Sequence, residues 1–153
     1  MAQTTGAVAQ ACGKVWTSTD GVTYTDISGN TQSVEGTEQT KITGEAYTFT
    51  GDTAIVKSGK REPMDLAFVI IYTETDAEAY QQVRAQFEAT GCGPNFYVRW
   101  SPRGGNADDE QLTSAVGVLT SFTYPPMDAT GGAPILAGFT VRVPGVTTTI
   151  IAS

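Results

Sequence analysis

Leu66 to Tyr72 (LAFVIIY) is an unbroken run of seven apolar residues in a chain otherwise rich in Thr, Gly and Gln. It is too short for a buried helix, and it predicts a central strand covered on both faces. A strand of that kind needs sheet partners, and the sequence supplies them. Ile135, Ala137, Phe139, Val141 and Val143 alternate with Leu136, Gly138, Thr140 and Arg142, the cleanest period of two in the chain. Phe96, Val98 and Trp100 share one strand face, and Tyr97 and Arg99 the other. Val116, Val118, Phe122 and Tyr124 fall in phase on a strand that Pro125-Pro126 ends. Asp20-Gly21, between Val15-Trp16 and Val22, Tyr24 and Ile27, signals a hairpin. After Pro144-Gly145, Val146 to Ile151 is a β-prone tail.

One helix is expected, over about residues 76–89. Thr75 and Glu78 have the spacing of a capping box. Tyr80, Val83 and Phe87 form its apolar stripe, extended by Ala77, and Gly91 is a C-terminal stop. Residues 31–50 (TQSVEGTEQTKITGEAYTFT) are strand-forming but nearly devoid of apolar side chains. They predict two polar strands turning near Thr43-Gly44, a pair too weak to stand alone and in need of a partner. Residues 1–13 read as a flexible arm, 14–146 as one β domain and 147–153 as a C-terminal tail. Seven or eight strands and one helix fit a mainly β fold, a β-sandwich or barrel with a flanking helix.

Composition excludes more chemistry than it suggests. The chain has no histidine, which removes the commonest general base and metal ligand. The net charge of -7 disfavours ordinary DNA binding. Cys12 and Cys92 stand in no metal-ligand spacing, and a disulfide between them cannot be deduced from sequence. No run approaches the length of a membrane span, and the N-terminus has no secretory pattern. Asp108, Asp109 and Glu110 are the densest acidic cluster, but a solvated loop is the ordinary explanation. KSGKRE (Lys57, Lys60 and Arg61 around Gly59) lacks Walker spacing and reads as a charged loop tip. Cys92 has no histidine to activate it, and Trp16, Tyr24, Phe96 and Trp100 suit a core better than a sugar platform. No catalytic residue, metal ligand or cofactor is predicted.

Three strings carry a resemblance: ISGNTQSVEGTEQTKITGEAYTFTGD (Ile27 to Asp52), VKSGKREPMDLAFVIIYTETDAEAY (Val56 to Tyr80) and LTSFTYPPMDATGGAPILAGFTVRV (Leu119 to Val143). Together they make the chain, from about Trp16 to Val143, resemble the major tail tube proteins of long-tailed bacteriophages, a fold related to type VI secretion tube proteins. The resemblance implies hexameric rings that stack into a hollow tube around a tape measure protein. It further implies terminator and tail-tip initiator partners, DNA only in transit, no membrane insertion, and a virion protein assembled in the host cytoplasm. On that basis Glu35, Glu38 and Glu45 are expected to face the lumen. Lys57, Lys60 and Arg61 are expected to meet acidic groups such as Asp108, Asp109 and Glu110 between rings. A soluble sandwich binding carbohydrate or mediating adhesion is the alternative, with a type VI-like tube protein a near neighbour of the first reading.

Overall fold

The computed structural model describes residues 2–91 and 94–153, so Cys92 and any pairing it makes lie outside the described residues. The central apolar run lies in strand β6 (Met64–Ile71), flanked by β3 (Thr31–Glu35) on one side and β10 (Leu136–Val143) on the other. β9 (Val118–Thr123) completes an antiparallel four-stranded sheet in the order β3-β6-β10-β9. The facing sheet runs β11-β8-β7-β1-β2, from β1 (Lys14–Ser18), β2 (Thr25–Asp26), β7 (Tyr97–Ser101), β8 (Glu110–Ser114) and β11 (Val146–Ile150). The core between them holds Leu66, Phe68, Ile70, Phe96, Val98 and Phe139, all buried. Phe68 and Phe139 are register partners with stacked rings 4.8 Å apart, and Phe96 meets Phe139 edge-on.

The run in β6 is not covered on both faces as its sequence suggests. Met64, Leu66, Phe68 and Ile70 are buried, whereas Asp65 is exposed and Ala67, Val69 and Ile71 are half-buried. The alternation is that of a sheet with one free face. β10 follows the predicted period from Ala137 to Val143. β9 does not follow its own. A bulge leaves Thr120 between Leu119↔Val141 and Ser121↔Thr140, so Leu119 and Phe122 turn inward. Val116, Val118 and Tyr124 stay exposed.

The helix α1 (Ala79–Glu88) is shorter than expected. Its N-cap residue is Glu78, and no side chain caps it. The carboxylate of Glu78 instead accepts a hydrogen bond from Asn30 Nδ2 at 3.2 Å, so the capping box does not form. Ala79, Tyr80 and Val83 are buried, Ala77 is exposed, and Tyr80 and Phe87 pack on Phe122 of β9. Gly91 has a φ of 127° but lies beyond the helix, which ends at Ala89 in extended backbone.

Residues 31–50 do not form one strand pair. β3 ends at Glu35, and Gly36 at φ 74° turns the chain away. β4 (Lys41–Ala46) then pairs with β5 (Ile55–Arg61) as a separate two-stranded sheet. KSGKRE is therefore mostly strand, and the hairpin tip lies at 47–54. The Asp20-Gly21 turn is wider than a two-residue hairpin, since β2 begins at Thr25. β8 is a strand that the sequence pattern did not single out, and the tail at 146–150 is a strand paired with it.

Candidate assembly surfaces

Among the described residues, the four-stranded sheet leaves its edges β3 and β9 unpaired and its outer face exposed to half-buried. Side chains alternate along its strands, so the outer face carries Asp65, Ala67, Val69 and Ile71 of β6 and Thr140 and Arg142 of β10. Glu35 stands at the end of β3, exposed. Arg142 and Asp65 are register partners, and the Arg142 Nη1 group donates to both Asp65 oxygens at 3.1 and 3.0 Å. A free sheet edge is a template for pairing with another chain unless something blocks it.

The β4–β5 hairpin is the second surface. None of its strand residues is buried. Its root is pinned by Gln39, whose Nε2 donates to the carbonyls of Glu62 (2.9 Å) and Pro144 (3.0 Å). Thr40 Oγ1 donates to Glu62 Oε2 at 2.8 Å. Beyond the root, Ile42, Gly44, Ala46, Ile55, Lys57 and Gly59 line a shallow trough of about 480 Å³. At the tip Phe49 is fully exposed and Tyr47 nearly so. Residues 41–61 carry four cations and two acids, a net +2, so the rest, with five cations and fourteen acids, is -9. Lys41, Lys57, Lys60 and Arg61 make no ion pair among the described residues, whereas Arg84, Arg103 and Arg142 each do.

The predicted residues fall on these surfaces unevenly. Glu35 lies on β3, Glu38 on the connector and Glu45 on the hairpin, so they do not share one strand pair. A bulge in β5 between Ser58 and Arg61 breaks the alternation: Ser58 pairs with Thr43 and Arg61 with Lys41, which puts Arg61 on the face opposite Lys57. Asp109 is buried in its own loop, its carboxylate accepting the Asn106 N–H at 2.9 Å and lying 4.0 Å from Arg103, which leaves Asp108 and Glu110 outward. Asp108, at φ 69°, donates its N–H to the Ile151 carbonyl. The Asp65–Arg142 pair, in which one guanidinium nitrogen donates to both carboxylate oxygens, was missed, although their alternation with buried neighbours marks both as outward residues.

The aromatics gather no sugar platform. Phe96 is core, Trp100 packs against the core, and Tyr24 is roofed by the Arg99 guanidinium at 3.7 Å. Gly105 crosses Trp16 so closely that a Cβ there would stand 2.6 Å from the ring. Cys12 is exposed. Among the described residues no group of three or more His, Cys, Asp or Glu could hold a metal, and no helix is long and apolar enough to cross a membrane.

No protein-family model matches the chain, and no curated protein matches its sequence. Solved structures do match. A chain of the PVC sheath–tube complex, an extracellular contractile injection system in its extended state, superposes with a TM-score of 0.71 at 14% identity, covering 96% of this chain and 94% of that one. The SPP1 tail tube gives 0.61 at 12% identity over 96% and 81%. The tail of an empty GTA particle, refined with C6 symmetry, gives 0.58 at 12% identity over 99% and 100%. The fold is that of tail tube proteins, and among the described residues it is mainly β with one α-helix.

Proposed function

We propose that the chain is a structural, non-enzymatic subunit that polymerises into the hollow tube of a phage tail or a related injection machine. The observation that carries this is the pairing of an open-edged, uncovered sheet with a projecting hairpin that has no core of its own. Joining β9 of one copy to β3 of the next satisfies both edges and closes sheets into a ring. The C6 symmetry of the GTA tail favours six copies. Six four-stranded sheets at ~4.8 Å per strand and a tilt of ~40° give a barrel about 48 Å across at the backbone. Allowing ~5 Å of side chain per wall, the passage still exceeds the width of a DNA duplex.

In this arrangement the outer face of β3-β6-β10-β9 lines the lumen, with Glu35 on it and Glu38 near its rim. The hairpin, with Lys57, Lys60, Arg61 and the apolar trough, reaches the acidic surface of a copy in the next ring, Asp108 and Glu110 among its candidates. Glu45 then belongs to the inter-ring contact and not to the lumen. A tape measure protein fills the lumen during assembly, terminator and initiator proteins bind the two ends, and DNA passes through when the particle delivers its genome. The protein resides in the virion tail after assembly in the host cytoplasm.

The test is negative-stain electron microscopy of the purified protein over a range of concentrations, with light scattering alongside. Rings or hollow tubes are the expected outcome. A chain that stays monomeric even with its tape measure and initiator partners breaks the proposal, and glycan binding becomes the next assay.

A further inference from the structure

The four strands of the open sheet contain one cation, Arg142, and two acids, Glu35 and Asp65. Arg142 does not stand free: both Asp65 oxygens accept from its Nη1 at 3.0–3.1 Å, although both side chains are about half exposed. The hairpin differs: its four cations make no ion pair among the described residues. An exposed pair of this kind adds only about 0–1 kcal/mol to stability, so the fold does not need it. A free guanidinium, however, is the side chain best suited to bidentate phosphate binding. On a face repeated around a ring, unmasked Arg142 residues would give a circle of phosphate sites, each raising affinity and salt sensitivity.

We infer that Asp65 masks Arg142, keeping the open sheet face from binding a polyanion that slides across it. This rests on the tube reading for the identity of the cargo, but the masking itself is a property of the face. It also relocates the source of inertness. The face carries a net -1 of the chain's -7, so passage depends on the absence of free cations more than on a strongly acidic wall. The remaining outward side chains, such as Ala67, Thr140 and Ser121, are small or uncharged and offer phosphate no ionic contact.

The experiment compares wild type, Asp65→Asn, Arg142→Gln and the double variant. Electron microscopy scores tubes, and fluorescence anisotropy scores binding of a short DNA duplex between roughly 50 and 200 mM salt. Asp65→Asn tubes are expected to bind the duplex at least about tenfold more tightly than wild type at the low end, with the gain lost at the high end. Arg142→Gln and the double variant should match wild type. Equal binding by Asp65→Asn and wild type overturns the inference, as does tight binding that persists in the double variant. If wild type forms no tubes, the conduit reading fails separately. Masking is then decided on protomers, where Asp65→Asn should show a salt slope steeper than the double variant by about one ionic contact, and an equal slope overturns it.

Discussion

Two antiparallel strand pairs of similar length sit in this molecule under opposite rules. β6 and β10 pair over eight residues from Leu136↔Ile71 to Val143↔Met64, with Leu66, Ile70, Val141 and Val143 wholly buried. β4 and β5 pair from Lys41↔Arg61 to Ala46↔Ile55 with no strand residue buried. The first pair is held by removal of apolar surface from water, worth ~1.5–3 kcal/mol per large side chain. The second has only its ladder and its pinned root, and a lone two-stranded hairpin is marginal in water. The difference separates the strands that bury the core from strands that leave both faces in water.

The largest blow to the comparison comes from the core side. Phe139→Ala removes the ring that meets Phe68 and Phe96 at once. It should cost ~3–5 kcal/mol in denaturant unfolding, with assembly lost as a consequence of folding. A loss below ~1 kcal/mol would mean that the sandwich is not the stability core. Gly36→Ala comes next, because it strikes the junction between the two regions. Its φ of 74° and a Cβ position that would run into the Asp65 carbonyl oxygen leave no room for a side chain. Destabilisation by about 1–3 kcal/mol is expected, together with a misdirected hairpin. A neutral result would show that the chain can leave β3 by another path.

Hairpin changes should do the reverse. Phe49→Ser and the charge swap Lys60→Glu/Arg61→Glu touch no buried atom, so the protomer's unfolding free energy should move by no more than ~0.5 kcal/mol. Tube formation followed by light scattering should nevertheless fall, steeply for Phe49→Ser and in a salt-dependent way for the swap. Unimpaired assembly in both would remove the hairpin from the inter-ring contact. Loss of protomer stability would instead show that the hairpin packs on the body.

The sandwich was legible in the sequence because its signal is local. Alternation in Ala137–Val143 and the apolar run in β6 each name a strand and its inward face without reference to other segments. The run misled on its second face because a half-buried outer face of Val69 and Ile71 has the same letters as a covered one. β9 misled because a single unpaired Thr120 reverses the phase downstream, and no residue type announces a bulge. The hairpin was half legible. Its lack of buried apolar faces followed from its polar strands, but which strand paired with which depended on the single turn at Gly36, and Gly44 offered an equally good turn to the eye. The capping box failed because the helix begins at Ala79, which makes Glu78 itself the N-cap residue, and its carboxylate accepts from Asn30.

The smallest expected effect tests whether exposure alone makes a segment dependent on a partner. The loop between β1 and β2 is also exposed at its crest, with Val22 83% exposed, although Gly21 and Tyr24 are half-buried. Yet it is ordered from within. Asp20 Oδ1 accepts the N–H groups of Val22 and Thr23, both at 2.8 Å, and the Ser18 hydroxyl at 2.9 Å. Ser18 Oγ in turn accepts the N–H groups of Asp20 and Gly21. At the hairpin tip, by contrast, one bond from the Gly51 N–H to Thr48 Oγ1 stands against eight residues of turn. The bonds from Val22 and then Thr23 hold the Asp20 carboxyl below its ordinary value. A carboxylate favoured in the folded state contributes stability above the unfolded pKa and loses it as the pH falls through the lower, folded one. Asp20→Asn keeps an acceptor but removes the charge. Its denaturation midpoint should therefore lie slightly below wild type at neutral pH, and the gap should close as the pH drops below the carboxylate range. Amide exchange at Val22 and Thr23 should quicken in the variant while exchange across the hairpin tip stays unchanged. A gap that persists in strong acid would show that the loop is ordered by shape and not by the charge of Asp20, and exposure with internal bonding would then cease to distinguish it from the hairpin.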